Sequence, residues 1–348
     1  MAVTVSDFGV LNDGRKIEKY TIENSNGMRV SVITYGATLA EIYVPDKNNS
    51  FADVLVGFDD LDGFVTRSDY QGVTVGPYAN RIGNAKFSID GKEYKLAANE
   101  KGVTCLHSCG EFNTAVWDAD ILDDNTVAFS YTSPDGMNGF PGNTDVKVEF
   151  ILTEKNELKL EYYAVSDKKT VINLTNHAYF NLGGYDSGTI LEHEIFLNAS
   201  HFTPVDEFSI PTGEINKVDG TVFDLRKPVK VGARIDDDCD QIRYTGGYDH
   251  NFCIDGYDQT LELAAEVKDP VSGRGLRVYT TLPGIQFYAG NFLKGDIGKG
   301  GKPINKRSGF CLETQFFPDT PNKPEFPQCT FEAGEVFTSE TVFEFFCG

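Results

Sequence analysis

Apolar and polar residues alternate with a period of two along most of the chain, and this pattern predicts β-strands from end to end. Phe87 and Ile89 alternate with polar neighbours. After Asp90-Gly91 the alternation resumes at Tyr94 and Leu96. An Asp-Gly pair tolerates the positive φ angles of a tight turn, so the segment predicts a β-hairpin.

A second antiparallel pairing is predicted between residues 146–152 and 158–162, which are joined across Glu154 to Glu157. Further strands are predicted at Arg29 to Ile33, Ala128 to Tyr131, Glu194 to Asn198, Leu276 to Thr281, Phe310 to Thr314 and Thr341 to Phe346. The last of these carries many aromatic residues, which indicates a strand packed into the core. Truncation there should damage folding.

Sustained helical periodicity is almost absent, and short helical turns are expected only near Asp59 to Thr66 and Pro228 to Ile235. Strands that follow one another without helices favour an all-β fold, a large antiparallel β-sandwich. No linker rich in Pro, Gly or Ser divides the chain, and no repeat of fixed period occurs. The sequence therefore predicts one domain over residues 1–348.

The excess of acidic over basic residues limits the classes of binding partner that the surface favours. The chain has 52 Asp and Glu against 31 Lys and Arg, and the acidic residues are spread along it. Nucleic acids and anionic membranes are bound through clustered Lys and Arg, so we expect neither as a partner. A neutral or cationic small molecule fits this surface better.

Neither a membrane segment nor a secretory leader is visible in the sequence. No stretch approaches the roughly 20 apolar residues that span a bilayer, and residues 1–20 lack a basic segment followed by an apolar one. We expect a cytoplasmic protein whose seven cysteines are reduced thiols. Cys105 and Cys109 lie four residues apart, so the alternative for these two thiols is that they form half of a zinc site.

Five histidines limit the choice of acid–base groups. His193 and His201 flank an apolar strand with no polar cluster nearby, so we do not expect them to be catalytic. His107 lies where a strand is expected to become a loop. His177 lies in Asn173 to Gly184, where polar and apolar residues mix more densely than a core strand requires.

Three other segments place polar groups beside predicted strands. Asn80 and Arg81 lie in a loop bounded by glycines before the Phe87 hairpin, and Asp249 precedes His250 in a second Gly-rich segment. Glu313 ends an apolar strand, and burial there would raise its pKa towards the range of a general base. A structural ion pair is equally compatible with that position.

Four segments, in this order along the chain, resemble the signature segments of the aldose 1-epimerase family. They are Gly-Pro-Tyr-Ala-Asn-Arg-Ile-Gly-Asn-Ala at 76–85, Asn-Leu-Thr-Asn-His-Ala-Tyr-Phe-Asn-Leu at 173–182, Tyr-Asp-His-Asn-Phe at 248–252, and Leu-Glu-Thr-Gln-Phe-Phe-Pro-Asp-Thr-Pro-Asn at 312–322. The resemblance runs from about Gly36 to the last strand. It implies a β-sandwich of the galactose mutarotase type.

The resemblance also implies roles for individual residues. His177 would be the general acid that protonates the sugar ring oxygen, and Glu313 the general base that takes the proton of the anomeric hydroxyl. The ring opens, the bond between C1 and C2 rotates, and the same pair closes the ring to the other anomer. The implied sugar-binding residues are Asn80, Arg81, His107, Asp249 and Gln286. No cofactor and no metal is required, and the substrates are aldoses such as galactose and glucose.

Three alternatives remain at this point. A relative that acts on a sugar phosphate would need more cations than the single evident Arg81. A carbohydrate-binding sandwich without catalysis would not need both His177 and Glu313. A glycosidase would place two carboxylates across the scissile bond, and Asp249 with Glu313 could imitate that pair. The sequence does not rank galactose against glucose.

Overall fold

The computed structural model describes residues 1–348, and strands make up most of its regular structure. The strands are β1 (Ala2–Val10), β2 (Lys16–Glu23), β3 (Arg29–Ile33), β4 (Thr38–Pro45), β5 (Phe51–Asp53), β6 (Thr74–Val75), β7 (Arg81–Ile82), β8 (Lys86–Ile89), β9 (Lys92–Lys95), β10 (Cys105–Leu106), β11 (Asp118–Asp123), β12 (Thr126–Ser133), β13 (Thr144–Leu152), β14 (Glu157–Ser166), β15 (Thr170–Val171), β16 (Thr175–Asn176), β17 (Glu194–Leu197), β18 (His201–Phe202), β19 (Asn216–Lys217), β20 (Val229–Lys230), β21 (Asp249–Cys253), β22 (Glu262–Lys268), β23 (Arg274–Thr280), β24 (Gly284–Tyr288), β25 (Asp296–Ile297), β26 (Pro303–Ile304), β27 (Cys311–Gln315), β28 (Thr330–Phe331) and β29 (Val336–Cys347). The α-helices are α1 (Leu61–Thr66), α2 (Glu111–Thr114) and α3 (Asp240–Thr245).

Three antiparallel sheets organise the fold. A five-stranded sheet has the order β1-β2-β3-β4-β5, and a nine-stranded sheet has the order β11-β12-β13-β14-β29-β23-β22-β17-β20. A second five-stranded sheet, here called the site sheet, has the order β19-β18-β21-β24-β27. The prediction of an all-β sandwich is confirmed.

Both predicted hairpins are present. In β8–β9, Phe87 pairs with Tyr94, and Asp90 and Gly91 take positive φ angles of 50° and 79°. Strand β13 pairs with β14 so that Leu152 lies opposite Leu158. The C-terminal strand β29 lies between β14 and β23 in the middle of the nine-stranded sheet, which agrees with its predicted place in the core.

The expected helical turns are present, but they are not the only ones. Helix α1 falls within the first expected segment, and a 3₁₀ turn at Val231–Ala233 falls within the second. Helices α2 and α3 were not predicted, because four and six residues are too short to show a helical period. The missed signal for α3 was Gly246, which ends the helix in the left-handed conformation at φ 68°.

One cluster of 68 buried residues forms the main core. It contains residues from the nine-stranded sheet and from the back of the site sheet, where Phe180 packs against Phe310 and Phe343 with ring centroids 5.8 and 5.2 Å apart. The Thr314 and Thr341 hydroxyls lie 2.6 Å apart between β27 and β29. The single domain over 1–348 stays a prediction, with which this continuous core is consistent.

None of the helices is long or apolar enough to cross a membrane.

Candidate active site

The register of the site sheet gathers polar side chains on its front face. Gln286 pairs with Glu313 across β24 and β27, and Asn251 pairs with Gln286 across β21 and β24. Successive side chains of a strand point to opposite faces, so Asp249 shares the front face with Asn251, and His250 points to the back. Residues far apart in sequence are thereby brought side by side.

His177 reaches this face from the short strand β16. Its backbone N–H donates to Val73 O at 2.9 Å, and its carbonyl accepts from Gly72 N–H at 2.9 Å. The imidazole is buried, with Nε2 3.7 Å from Glu313 Oε1 and Nδ1 3.4 Å from Cys311 Sγ. The two groups proposed for proton transfer are therefore neighbours.

The Gly-bounded loop supplies the opposite wall. Arg81 lies on β7, which pairs with β10. Asn80 adopts the left-handed conformation at φ 65°, and its side-chain oxygen accepts from Arg81 N–H at 2.8 Å. His107 follows β10, and its Nδ1 accepts from Asn80 N–H at 3.1 Å. That bond leaves the hydrogen of a neutral imidazole on Nε2, so His107 can donate to a ligand.

These side chains line one cavity of about 240 Å³. Its lining residues are Asp69, Tyr70, Asn80, Arg81, Glu100, Leu106, His107, His177, Tyr179, Asp249, Tyr288, Phe292, Lys294 and Glu313. Six of the seven residues assigned from the sequence are among them. The structure thus brings together both proposed catalytic groups and four of the five proposed binding groups.

Gln286 is the seventh, and it does not line the cavity. Its amide Nε2 donates to Asp249 Oδ1 at 2.6 Å, and its Oε1 accepts from Gln315 Nε2 at 3.4 Å. The structure places Gln286 beside Asp249 on the front face of the site sheet, outside the cavity lining. From there it can orient the carboxylate of Asp249 towards the cavity.

Several lining residues carried no signal in the sequence strong enough to identify them. Tyr70 lies over both imidazoles, with its ring centroid 4.7 Å from His107 and 5.8 Å from His177. Tyr179, two residues after His177, also lines the cavity.

The charge of Arg81 is largely neutralised by its neighbours. Its guanidinium binds Glu100 through two hydrogen bonds of 2.8 and 2.9 Å, and it lies 3.7 Å from Asp249 Oδ2. The only other lysine or arginine lining the cavity is Lys294, against the carboxylates of Asp69, Glu100, Asp249 and Glu313. The cavity is therefore a poor receptor for a phosphate group.

Burial changes the acid–base properties of the central pair. It lowers the pKa of His177 to about 4. It raises the pKa of Glu313 well above its ordinary value, the charge of Asp249 adds to that rise, and Arg81 opposes it. Both shifts disfavour charge. Burial thus acts on both groups in the same sense, against the ion pair of a glutamate and an imidazolium.

One carboxyl oxygen of Glu313 is free to bind a ligand. Glu313 Oε2 is buried and has no hydrogen-bond partner. A buried carboxyl oxygen without a partner is costly, so a ligand hydroxyl that reached it would gain a strong hydrogen bond. Glu313 is positioned to exchange a proton with such a hydroxyl.

A metal ion fits these side chains poorly. His107, His177 and Glu313 are the only group of three possible ligands. His107 already accepts an amide hydrogen at Nδ1, so its Nε2 carries a hydrogen and has no lone pair for a cation. Cys105 and Cys109, considered as half a zinc site, are not part of any group of three ligands.

The sequence matches the model of the aldose 1-epimerase family over residues 18–344. It is 44% identical to galactose mutarotase of Bos taurus over 348 residues, which is 99% of each chain. It is 42% identical to galactose mutarotase of Homo sapiens over 346 residues, 99% of this chain and 98% of that one. The solved structure of an aldose epimerase homologue from C. elegans has a TM-score of 0.87 and 30% identity, and the match covers 94% of this chain and 98% of the other.

Proposed function

The chain belongs to the aldose 1-epimerase family, and on that basis we propose that it interconverts the α and β anomers of D-galactose and D-glucose. The observation that carries this proposal is the contact between His177 and Glu313, which are both buried, lie 3.7 Å apart and line the same cavity. Mutarotation needs one proton removed and one added at two oxygens bonded to the same carbon. Two adjacent titratable groups are sufficient for that exchange.

In the first half of the reaction, Glu313 takes the proton of the anomeric hydroxyl while His177 gives a proton to the ring oxygen. The bond between C1 and the ring oxygen breaks, and an open-chain aldehyde forms. Glu313 then carries the proton and His177 is neutral. Burial favours these neutral forms over the charged forms from which the step starts.

In the second half, the C1–C2 bond rotates and presents the other face of the aldehyde. His177 takes the proton back from the hydroxyl that closes the ring, and Glu313 returns its proton to the oxygen on C1. The number of protons on the pair is the same before and after the cycle. The reaction therefore needs no external acid or base.

The other polar groups of the cavity suit a neutral sugar. His107 donates through Nε2 and Asp249 accepts, while Asn80 and Arg81 complete the wall around the hydroxyls. Four carboxylates face one free lysine and one paired arginine, so a sugar phosphate is disfavoured. Gln286 contributes by holding Asp249.

We also propose a cytoplasmic location. All seven cysteines are free thiols, and disulfides are rare in reducing compartments.

Polarimetry tests the proposed reaction. Freshly dissolved α-D-galactose or α-D-glucose should lose its initial optical rotation faster with the protein than in buffer, and a metal chelator should not change that rate. Nitrophenyl galactosides should stay intact. A rate equal to that of buffer would contradict the proposal, and release of nitrophenol would favour the glycosidase alternative.

The acid limb of the pH–activity profile should reflect the protonation of His177. A plot of kcat/KM against pH reflects groups of the free enzyme. As the pH falls through about 4, His177 becomes protonated and can no longer accept the proton of the hydroxyl that closes the ring, so activity should be lost. An acid limb centred near 6.5, the ordinary histidine value, would contradict the assignment. Circular dichroism at each pH separates this loss from unfolding.

A further inference from the structure

Two thiols flank His107. Cys105 opens β10, and Cys109 lies in the 3₁₀ turn His107–Gly110 that follows the strand. Their Sγ atoms are 3.5 Å apart, in direct contact. No part of the proposed reaction uses either sulfur, and neither residue lines the cavity.

The turn between the two thiols has an uncommon backbone. His107, Ser108 and Cys109 have φ angles of 49°, 50° and 60°, so three successive non-glycine residues are left-handed. Such a conformation persists only where its surroundings hold it. Here His107 N–H donates to Asn80 O at 3.1 Å, and Cys109 Sγ donates to Ala97 O at 2.9 Å. The position of His107 therefore depends on contacts that include a cysteine side chain.

The two thiols differ in accessibility. Cys109 is half-buried, whereas Cys105 is buried. Burial raises the pKa of the Cys105 thiol, and the neighbouring Cys109 adds to the rise. An oxidant from solution meets Cys109 first, and Cys105 is in place to react with the oxidised sulfur.

We propose that Cys105 and Cys109 are a redox modification site, which peroxides convert into a reversible disulfide that displaces His107 and slows the reaction. The Cys109 thiolate attacks one peroxide oxygen, the O–O bond breaks, and a sulfenic acid and water form. The Cys105 sulfur then displaces the sulfenic oxygen as a second water. In sum, two thiols and hydrogen peroxide give a disulfide and two waters. A dithiol reductant reverses the step by exchange.

The expected loss of activity follows from the position of the disulfide between Cys105 and Cys109. To form a disulfide, the two sulfurs must move closer than the 3.5 Å that separates them. This movement pulls on the chain between them. Leu106 and His107 both lie in that stretch and both line the cavity. A shift of about 1 Å in a positioned group costs up to about 100-fold in rate. This inference rests on the proposed mutarotase function.

The experiment compares the reduced protein with the same protein after brief treatment with hydrogen peroxide. Remaining thiols are alkylated, and the tryptic peptide Gly102 to Lys147, which contains both cysteines and no other, is weighed. We expect this peptide to lose two hydrogens and to carry no alkyl group. Mutarotation by the oxidised protein should have a kcat/KM about 10- to 100-fold lower, and dithiothreitol should restore it.

Cys109→Ser is the matched control, because serine keeps a hydroxyl that can donate to Ala97 O but cannot form the bond. It should have the activity of the reduced protein before and after peroxide. The inference is overturned if the peptide is alkylated at both cysteines, if the disulfide forms without loss of activity, or if peroxide inactivates Cys109→Ser as well. If the reduced protein shows no mutarotation at all, the proposed function fails, while the peptide mass still decides whether the disulfide forms.

Discussion

Replacing Glu313 by glutamine is expected to lower kcat for mutarotation by about 10²- to 10⁴-fold, the usual contribution of a positioned acid–base group. Glutamine has nearly the same shape and still forms hydrogen bonds, but it cannot take the proton of the anomeric hydroxyl. Sugar binding should persist, because the rest of the cavity wall is unchanged. Polarimetry at several galactose concentrations gives kcat and KM, and titration calorimetry measures binding.

Glu93→Gln is the control for this substitution. Glu93 is exposed on the β8–β9 hairpin and pairs only with Lys86, so its loss should leave kcat unchanged. A Glu313→Gln protein that is folded and retains kcat within about twofold of the wild type would remove Glu313 from the reaction.

Replacing His177 by asparagine is expected to have a similar effect, about 10²- to 10⁴-fold in kcat. Asparagine can donate a hydrogen bond but cannot transfer a proton in this pH range. The acid limb near pH 4 should disappear from whatever activity remains, because His177 is the group whose pKa burial lowers to about 4. Initial rates measured across the pH range give both results.

His201→Asn serves as the control, since His201 lies on β18 of the site sheet but does not line the cavity. The double variant of Glu313 and His177 gives a second check. Residues that act as a unit are strongly non-additive, so it should be about as slow as the slower single variant. A double variant slower by the product of the two single effects would mean that the groups act independently.

The sequence predicted the fold well where local rules suffice. Asp90-Gly91 fixed a hairpin because only certain residues tolerate two positive φ angles, and residues 146–152 paired as expected because both strands alternate cleanly. Helix α3 was missed because six residues show no period. Its end at Gly246 could have been noticed, but a glycine alone predicts many kinds of turn.

The site was predicted less completely, because it depends on register. Asp249 and Glu313 share one face only through the pairing of β21 with β24 and of β24 with β27. The same pairing sets Gln286 beside Asp249, where it donates a hydrogen bond to the carboxylate, and no local pattern in the sequence could show this. Glu100 and Tyr70 enter the cavity from loops. Their contacts with Arg81 and with the two imidazoles are tertiary and leave no periodic signal.

The most direct test of the paired acid and base is the exchange between anomers at equilibrium. Proton NMR of galactose resolves the two anomeric protons, and saturation of one transfers to the other at the rate of interconversion. We expect the wild-type protein to increase that rate in proportion to its concentration, without metal or nucleotide, and Glu313→Gln to lose nearly all of the increase. An exchange rate equal to that of buffer, or an increase that Glu313→Gln retains in full, would contradict the mechanism.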